Sequence, residues 1–170
     1  MHVFLGLGTN LGDREANLVL ARDLLMKYDV LVMGQSSILE TKPLNDLNQP
    51  LYLNQVVECQ TELTPQALLV ACKTIEQEMG RPIEWPQMGN VSFGQSIPKG
   101  SDAQARVWES RIIDIDILFY GDWILKEPAL VIPHHGIINR DFVMAGVLEL
   151  SPNFVHPLLK KPLKELLARA

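Results

Sequence analysis

The stretch SRIIDIDILFYG, residues 110–121, sets Asp114 and Asp116 inside a run otherwise made of Ile, Leu, Phe and Tyr. β-Branched and aromatic residues closed by a glycine read as a buried or half-buried strand. Side chains alternate between the two faces of a strand. Ile113, Ile115, Ile117 and Phe119 are therefore expected on one face, and Ile112, Asp114, Asp116, Leu118 and Tyr120 on the other. The two carboxylates then point the same way with Cα atoms about 6.5–7 Å apart. Like charges on an apolar face are costly unless something cationic lies between them. A divalent metal site is the reading that this pattern favours; the ordinary alternative is a solvent-facing edge strand with incidental acids.

The segments before this strand alternate in period. HVFLGL (2–7) reads as a short strand, and DREANLVLARDLLMKY (13–28) follows with Leu18, Ala21, Leu25 and Tyr28 at helical spacing. VLVMGQSSILET (30–41) and YLNQVVECQTEL (52–63) are two further strands, joined by a polar, Pro-containing connection. A second helix has Thr64 as N-cap, Pro65 at its first position, a stripe of Leu68, Cys72, Ile75 and Met79, and Gly80 at its stop. Residues 82–105 then hold three Pro, three Gly and three Ser without sustained periodicity. A loop of that length in a compact domain suggests a lid or disorder. Beyond the aspartate strand come a short hairpin from Asp122 to Val131 and helices from about Asp141 and Pro162. The order β-α-β-β-α-β predicts an α+β fold, a ferredoxin-like sandwich with C-terminal additions. Residues 1–170 are expected to form one domain with a long catalytic loop at about 82–107.

Composition narrows the function. A formal net charge of −5 gives no electrostatic footprint for nucleic acid. No apolar run reaches the length of a membrane span, and the N-terminal MHVFLGLGTNLGD lacks the basic start and cleavage site of a signal peptide, so a cytoplasmic protein is expected. Cys59 and Cys72 match no metal-ligand spacing and are expected as reduced, buried thiols.

GLGTNLG invites a dinucleotide reading, but the third glycine of G-x-G-x-x-G would fall at Leu11, and no Walker A sequence occurs. Asp114 and Asp116 suit Mg²⁺, which usually takes one or two carboxylates and completes its octahedron with phosphates and water. Arg81 stands at one edge of the long loop and Arg106 and Arg111 at the other, where loop closure would bring guanidinium groups onto phosphates. PHHGIINRDF lacks the spacing of a zinc site and suits hydrogen bonding to a nucleotide. TKPLNDLNQPLYLN groups Thr41, Tyr52 and Asn54 around prolines, either as a wall for a flat heteroaromatic ligand or as a turn-rich connection.

GLGTNLGD, ETKPL, QPLYLN, GR ahead of a long loop, RIIDIDILFYG and IPHHGIINRDFV stand in series from Val3 to Pro157. In that order and register the chain resembles the 6-hydroxymethyl-7,8-dihydropterin pyrophosphokinases of folate biosynthesis. The resemblance implies a ferredoxin-like fold and transfer of pyrophosphate from ATP to the pterin hydroxymethyl oxygen, releasing AMP, with two Mg²⁺ ions. It further implies that Asp114 and Asp116 bind the metal and that Arg81 and Arg111 are mobile arginines at the ends of the catalytic loop. Thr41, Pro43, Leu44, Tyr52, Asn54 and Phe142 fall where the family grips the pterin, Phe142 stacking on the ring and Asn54 bonding its polar edge. Glu76, Trp108, Ile112, His134 and Arg140 fall along the ATP side. The partners implied are these two small molecules, without nucleic acid or membrane, and the protein is expected to be a monomer. The chain departs from the pattern with WESR before the aspartate strand, where many relatives carry Trp-Gly-Pro-Arg, and with a loop much longer than in the short bacterial members. His135 stands where the family varies and takes no role.

Two rivals remain from the residues alone. A ferredoxin-like RNA-binding module needs sheet aromatics and a basic face, which this acidic chain lacks. Another metal-dependent phosphoryl transferase would differ in its leaving group.

Overall fold

The computed structural model describes residues 1–43, 49–80 and 112–168. In chain order come β1 (His2–Thr9), α1 (Arg14–Lys27), β2 (Val30–Gln35), β3 (Leu39–Thr41), β4 (Tyr52–Thr61), α2 (Pro65–Glu78) and β5 (Asp114–Tyr120). A small hairpin of β6 (Leu125–Lys126) and β7 (Val131–Ile132) follows, then α3 (Asp141–Leu150) and α4 (Leu163–Leu167). The expected loop at 82–107 lies outside the described residues, as do Leu44, Arg81, Arg106, Trp108 and Arg111.

The helices begin where the sequence signals them. The Asp13 carboxylate accepts the Ala16 N–H at 3.1 Å, with Glu15 in the first turn of α1 and Lys27 in the last, which suits the helix dipole. The Thr64 hydroxyl accepts the Ala67 N–H at 3.2 Å at the start of α2, and Pro65 occupies a position whose N–H would have no intrahelical partner.

The main sheet runs β2-β4-β1-β5 with antiparallel neighbours throughout, and β3 continues along β4 beside β2. This is the ferredoxin-like strand order. One sheet face buries Leu5, Leu7, Val57 and Ile115 against Leu18, Leu25, Leu68 and Ile75 of α1 and α2. The C-terminal additions supply a third layer, with Val143, Met144, Val147 and Leu163 covering Phe4, Val56, Leu118 and Phe119 on the opposite face. Gly146 makes this layer close: a Cβ there would stand 2.6 Å from Val56 Cγ2. That contact fixes α3 low over β4.

Two expectations are corrected. VLVMGQSSILET is two strands rather than one, broken at Ser36, whose hydroxyl accepts the Val56 N–H at 2.9 Å. Glu149 of α3 holds the break open by accepting from both the N–H and the hydroxyl of Ser37. The alternation of β5 also fails near its end. Leu5 faces Ile117 while Phe4 faces Phe119, so Leu118 is an extra residue in a bulge. Phe119 therefore joins Leu118 on the α3 face, whereas Tyr120 turns to the isoleucine face and donates from its hydroxyl to the Leu63 carbonyl at 2.6 Å. The bulge is rewarded by an aromatic cluster, with the Phe119 ring 4.5 Å from Phe154 and 6.4 Å from Phe4. Asp114 and Asp116 precede the bulge and keep the common face expected of them.

His156 packs edge-on to Phe119 and is buried, which lowers its pKa below the usual value of 6.5. Its Nδ1 accepts the Leu159 N–H, so the neutral ring carries its proton on Nε2. As the pH falls through about 6.5 the unfolded chain takes up a proton that the folded ring resists, and stability is lost. We expect Tm to fall between pH 7 and 5, as the unfolding free energy drops by at most about 1.4 kcal/mol per pH unit for this one group. His156→Asn, which keeps an acceptor, should flatten the curve. An unchanged slope in thermal melts would exclude His156 as its source. Among the described residues no helix is long and apolar enough to cross a membrane.

Candidate active site

Asp114 and Asp116 are half-buried on the sheet face that α3 covers. The strand register sets out their neighbours. Across β1, Gly8 lies beside Asp114 and Gly6 beside Asp116; one strand further, Asn54 of β4 lies beside Gly8 and Val56 beside Gly6. β3 completes the row, Leu39 beside Asn54 and Thr41 beside Tyr52. Because α3 begins at Asp141, this part of the sheet is left open as a cavity, with Arg140 and Phe142 at its rim.

One cavity brings together most of the residues singled out in the sequence. Thr41, Pro43, Tyr52, Asn54 and Phe142 line it, and so do Asp114, Asp116 and Arg140. The Asn54 amide donates to the Thr41 hydroxyl at 2.8 Å, which fixes its orientation, and its Oδ1 lies over Gly8. At the other end Arg140 Nη1 donates to Asp116 Oδ2 at 3.2 Å, and His134 Nε2 stands 3.9 Å from Asp116 Oδ1. The His134 N–H donates to the Leu118 carbonyl, and its Nδ1 accepts the Gly136 N–H, so the neutral ring turns its Nε2 proton toward Asp116. Burial is the main cause that lowers the His134 pKa; Arg140 and His135 add to it, while Asp116 and Asp114 oppose it.

Glu76 and Ile112 stand apart from the cavity. Glu76 is fully buried on α2, where its Oε1 accepts from Lys73 Nζ at 2.7 Å and from the Ile115 N–H at 2.8 Å. It thus pins the sheet-edge strand between the two aspartates. Burial is the largest cause that raises its pKa, the Asp114 charge adds to this, and Lys73 opposes it. Ile112 precedes β5 and, contrary to its expected place on the aspartate face, packs against the core beneath α1 and α2. Sequence reasoning missed Gly6, Gly8, Ser36 and Ser37, which also line the cavity. The glycines were visible only as an incomplete dinucleotide motif, and the serines only as the polar middle of an apolar run.

Two carboxylates side by side are an all-oxygen donor set suited to a hard cation. Among the described residues no group of three or more His, Cys, Asp or Glu is arranged to hold an ion. A cation held by this pair alone would complete its coordination with oxygens of a ligand or water, which is how Mg²⁺ is usually bound with phosphates.

The sequence model of the 7,8-dihydro-6-hydroxymethylpterin-pyrophosphokinase family matches residues 4–152. The 2-amino-4-hydroxy-6-hydroxymethyldihydropteridine pyrophosphokinase of Aquifex aeolicus is 35% identical over 163 residues, covering 96% of this chain and 88% of that protein. The folic acid synthesis protein fol1 of Schizosaccharomyces pombe is 36% identical over 165 residues; 96% of this chain is covered, but only 20% of that much longer protein. A crystal structure of HPPK-DHPS in complex with substrates aligns over 99% of this chain and 43% of its own, with a TM-score of 0.68 and 14% identity. Wild-type Plasmodium falciparum HPPK-DHPS with pteroate aligns over 99% of this chain and 44% of its own, with a TM-score of 0.67 and 17% identity. At such identities the solved structures speak for the fold alone, while the family match and the Aquifex relative run through both sides of the cavity. The chain belongs to the 7,8-dihydro-6-hydroxymethylpterin-pyrophosphokinase family.

Proposed function

We propose that the protein transfers pyrophosphate from ATP to the hydroxymethyl oxygen of 6-hydroxymethyl-7,8-dihydropterin, releasing AMP, in folate biosynthesis. The observation that carries this reading is the single row Asn54, Gly8, Asp114 across three neighbouring strands. Two strand spacings separate its ends, about 9–10 Å. A bicyclic ring can lie over Gly8 with its polar edge at Asn54 and its hydroxymethyl arm at the aspartates.

Each side chain then has a task. Asn54 and Thr41 bond the heteroatoms of the ring, and Tyr52 and Phe142 stack on it, while Pro43 closes the wall; Leu44 is assigned to the same ligand by the family resemblance. Asp114 and Asp116 would hold the two Mg²⁺ ions, whose positive charge would offset the negative charge that develops on the transferred phosphates. Arg140, beside Asp116, aims its guanidinium at the same phosphates. His134, Ile112, Glu76 and Trp108 are assigned to the ATP side, and Arg81 and Arg111 to the loop that closes over it. Glu76 serves that side indirectly, through the strand edge that it holds. The protein is taken to act as a monomer on two small-molecule substrates.

The direct test is the nucleotide formed from ATP and the hydroxymethyl pterin with Mg²⁺. AMP supports the reading; ADP or free pyrophosphate overturns it. Pterin affinity tests the pocket. Asn54→Ala would leave polar groups of ring and pocket without partners, and Phe142→Ala would remove stacking area. Each should cost about 1–3 kcal/mol, or roughly 5- to 150-fold in Kd. If both variants bind the pterin as wild type does in a fluorescence titration, the ring lies elsewhere.

A further inference from the structure

We propose that Gly8 is a specificity-determining residue, whose missing side chain sets the depth at which the heterocycle lies in the cavity. The proposal rests on the pterin reading of that cavity. A glycine inside a strand weakens it, because it loses more backbone freedom on folding and offers no side chain to the sheet. Such a position calls for a reason. Backbone conformation supplies none, since the glycines with positive φ among the described residues are Gly12, Gly80 and Gly121. Crowding supplies none either. A Cβ built on Gly8 would meet Asn54 Oδ1 at 3.4 Å and Tyr52 Cδ1 at 3.9 Å, both ordinary contacts. Gly146 is different, since a Cβ there would clash with Val56 at 2.6 Å, whereas one on Gly6 would lie 3.3 Å from Leu118 Cδ2. Gly146 is explained by the fold, and Gly8 is not.

The remaining reason for a glycine in a strand is the close approach of a ligand to the backbone. Gly8 lines the cavity, and its register places it between Asn54 and Asp114. The two side chains that a methyl would touch, Asn54 and Tyr52, are the ones assigned to the ring. With no side chain at position 8 they settle against β1, and the ring has the slot between this strand and Phe142 of the α3 layer. A methyl fits the empty protein but raises the floor under the ring. A larger group must lift Tyr52 and Asn54 into the ring's place.

The test is a size series, Gly8→Ala and Gly8→Val, titrated with 6-hydroxymethylpterin through its own fluorescence and, separately, with a fluorescent ATP analogue. Added methyl groups in a fitted pocket change affinity by about 10- to 200-fold. Pterin binding should weaken by about 10-fold in Gly8→Ala and by roughly 100-fold or more in Gly8→Val. The affinity for the ATP analogue should stay within about twofold of wild type in both, because no contact of that ligand is changed. A merely structural glycine would give a less stable alanine variant. Here Gly8→Ala should melt at the same temperature or about 1–4 °C higher, since alanine costs less backbone entropy in a strand. Asn54→Ala is run beside the series. If it weakens pterin binding while Gly8→Val binds as wild type does, the proposal falls and the pocket reading stands. If none of these variants alters pterin binding, the pocket reading falls and takes the proposal with it. A Gly8→Ala protein that loses affinity only in step with lost folding also overturns the proposal.

Discussion

Asp114→Asn and Asp116→Asn are each expected to lower turnover at saturating Mg²⁺ by about 10³-fold or more, with the fold intact. A metal-bound phosphoryl group gains several kcal/mol of charge stabilisation in the transition state, and each 1.36 kcal/mol is a factor of ten in rate. Asparagine has the shape of aspartate and still offers an oxygen to Arg140, so the 3.2 Å contact that ties α3 to β5 has a replacement. What the substitution removes is charge. The loss should therefore appear in single-turnover rates rather than in Tm. A variant that merely bound Mg²⁺ more weakly would recover as the metal concentration rises; one whose charge acts in the chemical step would not. Near-normal turnover in either variant would refute the metal assignment, and a collapse of the fold in both would show that the pair is structural.

The same two aspartates show what the sequence made legible and what it did not. Their shared face follows from the two-residue period of a strand, a local property, and it appears as expected. The helices were legible for a similar reason, since Asp13 and Thr64 cap their own chains within three residues. Failures begin where a distant residue decides. Nothing near Phe119 announces that it will turn to the opposite face; the aromatic cluster with Phe4 and Phe154 draws it there, and neither is close in sequence. Likewise the break after Gln35 is held by Val56 and Glu149, from β4 and α3. The site divides along the same line. Residues of distinctive chemistry, such as Asn54, Phe142 and Arg140, stood out in the sequence, whereas Gly8 contributes by having no side chain. Its meaning depends on a register that pairs it with Asn54 and Asp114 at once.

Arg140→Ala is expected to slow the chemical step by on the order of 10²- to 10³-fold, the loss measured when one preorganised donor is removed from a developing charge. Much of the molecule is committed to the placement of this guanidinium. Its carbonyl accepts the N–H groups of Val143 and Met144 in the first turn of α3, and its own N–H donates to the Ile137 carbonyl. The helix so begun is clamped to β4 by the close approach of Gly146 to Val56 and buried through Val143, Met144 and Val147. The side chain is only 17% exposed and already faces Asp116, so little reorganisation remains when phosphate charge arrives. Preorganisation of this kind favours the transition state over the ground state, in which the same charge is spread over more of the triphosphate. The single-turnover rate should therefore drop by a far larger factor than the Kd for ATP rises. Arg140→Lys separates geometry from charge: a flexible ammonium can balance Asp116 but cannot present a planar fork to two oxygens, so it should restore binding more fully than rate. If Arg140→Ala changes ATP affinity and chemistry by equal factors, the guanidinium serves only to bind. If it changes neither, its partner is Asp116 alone, and the positive charge required at the phosphates must come from elsewhere in the chain.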